Sequence, residues 1–155
     1  MLLDDAPPAV PTSLVVTERL LWVGPLTVLA SIAAVLAVRL LVIRVPGVRS
    51  DSVSMGWIAP TADTAILCTM AVFVFAGIAA FHDDPVHHYR RVAFGALLVS
   101  FLPLLIVGSG GLYGNVPTAI ALGAMHIAAY VPCVTLMPRL AAMKPAGNVE
   151  REVIA

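Results

Sequence analysis

The chain reads as an all-α membrane protein, a four-helix transmembrane bundle with a short outer loop that can hold extended strands. Three observations predict this. Hydrophobic residues make up 60% of the 155 residues and charged residues only 12%, about half the charge of an ordinary soluble domain. The mean hydropathy is +0.97, too apolar for a surface that faces water on all sides. Four apolar runs reach or approach the ~20 residues a helix needs to cross a bilayer.

The predicted organisation is a flexible tail over 1–18, a bundle over 19–143 and a C-terminal tail over 144–155. The spans lie at about 20–43, 62–81, 90–108 and 117–137. The N-terminal tail carries Asp4, Asp5 and several prolines, and lacks the basic start of a signal peptide. The first span places Trp22 at one interface and Arg39 near its other end, where a long side chain can bend its head towards water. Pro25 falls in its first turns, where proline costs least. The loop over 44–60 alternates Val, Ser and Gly with charges, a pattern compatible with short strands. Thr61 is the predicted N-cap of the second span, and Asp84-Pro85 predicts the start of the third helix. Pro103 predicts a bend in that helix. The Gly-rich stretch 108–115 is a turn without the Lys-Ser/Thr of a phosphate-binding loop.

Four spans put both termini on one side. That side carries six basic residues, Arg19, Arg90, Arg91, Arg139, Lys144 and Arg151, against Arg39, Arg44 and Arg49 opposite. The imbalance favours cytoplasmic termini in a cell membrane of the bacterial inner-membrane kind. The acidic start before the first span argues the reverse.

In lipid, small side chains and interhelical hydrogen bonds draw helices together. Gly24, Thr27, Ser31 and Ala34 share a stripe on the first span, and Ala119, Gly123, His126, Tyr130 and Cys133 share one on the fourth. Ala62, Thr69 and Ala76 recur at heptad spacing on the second. A polar seam through Ser31, Thr69, His126 and Tyr130 follows. His126 is the only ionisable group near mid-span, so it is the candidate intramembrane polar site. Its structural alternative is a neutral imidazole bonded to a backbone carbonyl. Arg39 and Asp63 fall at similar depth on neighbouring spans, which predicts an ion pair. His82, Asp83, His87 and His88, with Asp84 between them, are donors that suit a metal ion, although HExxH is absent. Cys68 and Cys133 lie inside apolar runs without CxxC spacing and read as small buried residues.

Val48-Arg49 follows the first span, Ser100 to Pro103 sits in a Leu-rich third span, and Met125-His126 precedes Pro132 in the last. In these features the chain resembles an uncharacterised bacterial family of four-span membrane proteins with a domain of unknown function, over about residues 20–142. The resemblance implies a compact bundle and supplies no activity.

No serine or cysteine has a legible base and orienting acid, and the reading leans away from an enzyme. The leading functional expectation is a non-enzymatic accessory or interaction module. The alternatives are a small transporter or channel subunit using His126 and a metal-dependent membrane protein using the His82–His88 loop. No cofactor is expected. The expected partners are the lipid bilayer and a protein or second copy of the chain; zero net charge without a basic patch excludes a nucleic-acid footprint.

Overall fold

The computed structural model describes residues 12–49, 53–82, 84–107 and 115–141. Four helices fill almost all of them: α1 (Thr12–Val42), α2 (Ile58–Phe81), α3 (Pro85–Val107) and α4 (Val116–Ala141). The architecture is an all-α bundle, as its composition predicts. No strand forms among the described residues, those of the outer loop included; residues 50–52 lie outside them. That loop instead makes a 3-10 turn at Val53–Met55. Met55 is fully buried against Val35, Leu104 and Leu122, and this burial folds the loop inward.

Helix starts differ from the sequence reading where local chemistry is subtle. Residues 12–18, read as tail, are the first turns of α1, which makes Pro25 an interior proline. Its missing N–H removes the bond to the Leu21 carbonyl. Helix α2 begins at Ile58 rather than Ala62. Thr61 is therefore inside it, and its hydroxyl donates to the Trp57 carbonyl at 2.7 Å instead of capping. The Asp84 cap is as predicted: its Oδ1 accepts the His87 N–H at 3.2 Å, with Pro85 as the first helical residue. Asn115 caps α4 by accepting the Thr118 N–H at 3.0 Å. Its amide also donates to the Gly47 carbonyl at 2.6 Å, and the Arg49 N–H donates to Thr118 Oγ1 at 3.0 Å. Gly47 has φ +88, a left-handed conformation that glycine adopts without strain. These bonds stitch the start of α4 to the chain leaving α1.

Neighbouring helices alternate in direction, as two apolar clusters show. Leu20 and Val23 of early α1 meet Phe75, Tyr89 and Met137 at one end. Val35 of late α1 meets Leu104, Leu122 and Met125 at the other. Helix α1 packs along both α2 and α4, whereas α3 touches its neighbours sparsely.

Among the described residues, three helical segments are long and apolar enough to cross a membrane: Glu18–Val42, Ile58–Phe81 and Val116–Ala141. Large apolar side chains face outward along them, including Trp22, Phe73 and Ile120. Helix α3 is not among the three. His87, His88, Arg90 and Arg91 occupy its first turns. Its apolar part, Val92–Val107, rises about 24 Å at 1.5 Å per residue, short of the ~30 Å hydrocarbon core.

The packing predicts which glycines tolerate a side chain. A Cβ at Gly24 would sit 3.1 Å from Val72 Cγ1, a stiff branched neighbour, whereas one at Gly77 would meet nothing within 4 Å. Gly24→Leu is expected to lose about 1–3 kcal/mol, and Gly77→Ala to stay within about 0.5 kcal/mol of the parent. Reversible unfolding in mixed micelles, followed by circular dichroism, measures both.

Candidate functional site

The buried polar groups converge where α1, α2 and α4 meet. Ser31 has no exposed surface, and its hydroxyl donates to the Ala129 carbonyl at 3.2 Å. The same oxygen lies 3.6 Å from Cys133 Sγ, which in turn lies 3.4 Å from Cys68 Sγ. Both cysteines are free thiols. The α1 stripe of Gly24, Thr27 and Ser31 is buried as its spacing predicts. On α2 the seam runs through Pro60, Thr64, Cys68 and Phe75 instead. Thr69 is exposed and returns its hydroxyl to the Ala65 carbonyl at 2.6 Å. One residue turns a helix by about 100°, so Ala62 and Thr69 point away from the bundle, while Ala76 is half-buried against the apolar cluster around Phe75. Cys68 takes the place given to Thr69.

His126 lies beside this junction. Its Nδ1 lies 2.8 Å from the Leu122 carbonyl, one turn back on α4. A carbonyl only accepts, so Nδ1 carries the proton, and in the neutral ring Nε2 is a bare acceptor. Nε2 has no hydrogen-bond partner among the described residues. The ring tilts against Phe101, with centroids 6.2 Å apart. His126 thus has both its structural bond and one uncommitted nitrogen.

Two partly open cavities of about 320 Å³ each meet at His126. The first runs towards Ser54, Asp63, Thr64 and Met125. The second runs between α2, α3 and α4 past Cys68, Tyr89, Ser100, Tyr130 and Cys133. They share Leu67, His126 and Ala129 as wall residues, and the second is a groove along the side where α3 packs loosely. Tyr130 lines it, as its place on the His126 stripe suggests. Tyr89 is 1% exposed and packs edge-on against Phe75, with centroids 5.0 Å apart. Its buried hydroxyl has no partner. Sequence reasoning missed Tyr89 because His87 to Arg91 read as a wet interface; only the apolar Phe75 and Met137 around it in space reveal its burial.

Arg39 and Asp63 form no ion pair. The Arg39 Nε donates to the Met55 carbonyl at 2.7 Å, and the guanidinium lies 3.9 Å from the Trp57 ring centre. Asp63 is exposed and faces the first cavity. The loop between α1 and α2 folds inward, so its carbonyl and indole reach the guanidinium first. Arg39 is 6% exposed, and one terminal nitrogen, Nη1, has no partner. A planar cation over an aromatic face keeps part of the stabilisation that water gave it.

Among the described residues, no three His, Cys, Asp or Glu side chains gather closely enough to hold a metal ion. His82 and His88 stack with centroids 4.5 Å apart, and His88 Nδ1 lies 2.9 Å from the Asp84 carbonyl. His87 is exposed, and Asp84 is occupied as a cap. Asp83 lies outside the described residues.

No family model matches the chain, and no curated protein or solved structure matches it either.

The Arg39 clasp predicts an energetic coupling. An Arg39→Ala and Trp57→Ala double-mutant cycle is expected to give about 0.5–2 kcal/mol of interaction energy. Asp63→Asn is expected to stay within about 0.5 kcal/mol of the parent. Unfolding of the four proteins in mixed micelles measures the cycle.

Proposed function

We propose that the chain is a multi-pass protein of the bacterial inner membrane that takes a small amphiphile into the groove between α2, α3 and α4. The observation that carries this reading is His126, which sits where two cavities meet and keeps Nε2 uncommitted. A bundle that served only as a docking module would have no use for such a groove. The volume suits a small-molecule site, and the walls are mostly apolar with a few polar contacts. The reading therefore belongs with the transporter or channel-subunit class rather than with a passive accessory. Ions are poor candidates, because the described acidic residue on the cavity walls, Asp63, is exposed near the start of α2 rather than buried at mid-span.

Helix α3 crosses as the fourth span in this proposal, with its Arg90 and Arg91 in the headgroup region. Both termini then face the cytoplasm, with the larger share of basic residues. The short apolar part of α3 is met by local thinning of the bilayer. A protein partner or second copy packs on the loosely covered α3 side. The four-span family that the chain resembles has the same architecture.

Photocrosslinking tests the groove. A photoreactive residue replaces Leu67 or Ala129, which line both cavities, or Phe73, which faces outward. After illumination in native membranes, the groove positions are expected to capture a discrete small molecule and Phe73 bulk phospholipid. His126→Leu should reduce the discrete adduct by about tenfold, the worth of one good hydrogen bond. Identical phospholipid adducts at all three positions would falsify the reading.

A further inference from the structure

The two cysteines are placed as a pair. Their sulfurs are 3.4 Å apart on α2 and α4, and each residue is less than a tenth exposed. Forming a disulfide requires an approach to about 2.0 Å. Helices α2 and α4 touch sparsely elsewhere, so little packing opposes that movement. Both cysteines line the second cavity. Charged, water-borne disulfides do not enter an apolar groove at mid-span. An oxidant for these thiols has to be lipid-soluble and has to accept two electrons.

A second observation points to the same occupant. Tyr89 lines this cavity, is almost wholly buried and has a hydroxyl without a partner. Buried phenols ordinarily donate to something. Tyr89, Cys68 and Cys133 line the same cavity, so a carbonyl oxygen seated there against Tyr89 would accept its hydrogen bond.

We propose that Cys68 and Cys133 form a redox-active dithiol that reduces a lipid-soluble quinone seated beside Tyr89. The proposal rests on the groove reading and names its ligand. Two S–H bonds break and one S–S bond forms. The two electrons and two protons pass to the two quinone oxygens, giving a hydroquinone, so no further reactant is needed. Tyr89 is a positioning and polarising donor to one quinone carbonyl. Ser31 Oγ, 3.6 Å from Cys133 Sγ, lies near the charge of a transient thiolate. The disulfide would staple α2 to α4 along the groove wall.

The test uses the full chain, reduced and embedded in phosphatidylcholine nanodiscs, mixed without oxygen with a decyl-tailed benzoquinone whose ring is fully substituted, so that thiols have no open position to add to. Thiols are counted by alkylation after denaturation, and hydroquinone by its absorbance. The expected result is loss of both thiols with one hydroquinone formed for each thiol pair. Cys68→Ser and Cys133→Ser should form none, with circular dichroism confirming that they fold. Tyr89→Phe should slow the reaction about tenfold, as loss of one hydrogen bond does, while a small permeant diamide still oxidises its thiols fully. Two thiols still alkylatable after quinone treatment of the parent chain would overturn the proposal. So would a Tyr89→Phe rate equal to the parent's. Quinone that binds in the groove without oxidising the thiols sinks this inference alone; identical phospholipid adducts in the crosslinking experiment sink the groove reading with it.

Discussion

Close approach along one face of α1 governs this bundle. Lipid is as apolar as leucine, so helices gain little by hiding leucine from it. They gain by letting backbones come near enough for dispersion contacts and hydrogen bonds. A Cβ at Gly24 would press on Val72 at 3.1 Å, and Thr27 and Ser31 are wholly buried. Thr27 turns its hydroxyl back to the Val23 carbonyl at 2.8 Å, which removes a polar group from the contact. Ser31 sends its hydroxyl across to the α4 backbone. The stripe thus serves two neighbours, with α2 on one flank and α4 on the other.

This arrangement produces the groove. Helices α2 and α4 are held by α1 more than by each other, so their own faces stand apart. They touch through Cys68 and Cys133, whose side chains are small enough for sulfur contact. Beyond that contact the space opens towards α3, which covers it incompletely. Gly123 brings α3 close at one point, where a Cβ would lie 3.0 Å from Phe101 Cε1. The rest of the opening is lined by His126, Tyr130 and Tyr89.

The bundle was legible in the sequence because apolarity and length have one physical solution in a bilayer. Helix ends were less legible. Asp84-Pro85 announced itself because its carboxylate and ring both act locally. Ile58 did not, because the residue before it, Trp57, supplies no side-chain cap and Thr61 bonds backwards to the Trp57 carbonyl. The α1 stripe could be read from residue size alone. The α2 face could not, since Ala62-Thr69-Ala76 and Pro60-Thr64-Cys68 are equally small and differ by a fraction of a turn. Only the partner helix chooses between them. Arg39 and Asp63 were at matched depth, yet depth does not fix direction. The loop that took Arg39 was invisible until Met55 was seen to be buried.

Among the described residues, Arg39 Nη1 and Tyr89 OH are the unpartnered buried side-chain atoms, and they differ in kind. Arg39 sits at a helix end, already bonded to a carbonyl and stacked on an indole. Its spare nitrogen is the residue of a geometry that two other contacts have fixed. Tyr89 has no such second contact for its hydroxyl, and its ring is pinned by Phe75. Phenylalanine would fill the same space without the cost of an unpaired donor, about 1–3 kcal/mol. If packing were all this position did, the hydroxyl would be a pure loss. It lies instead on the wall that also holds two touching thiols and, further along, a histidine with one bare nitrogen. A donor at one end and an acceptor at the other would give a ligand lying between them a fixed direction, which is the chemical basis of the proposed groove.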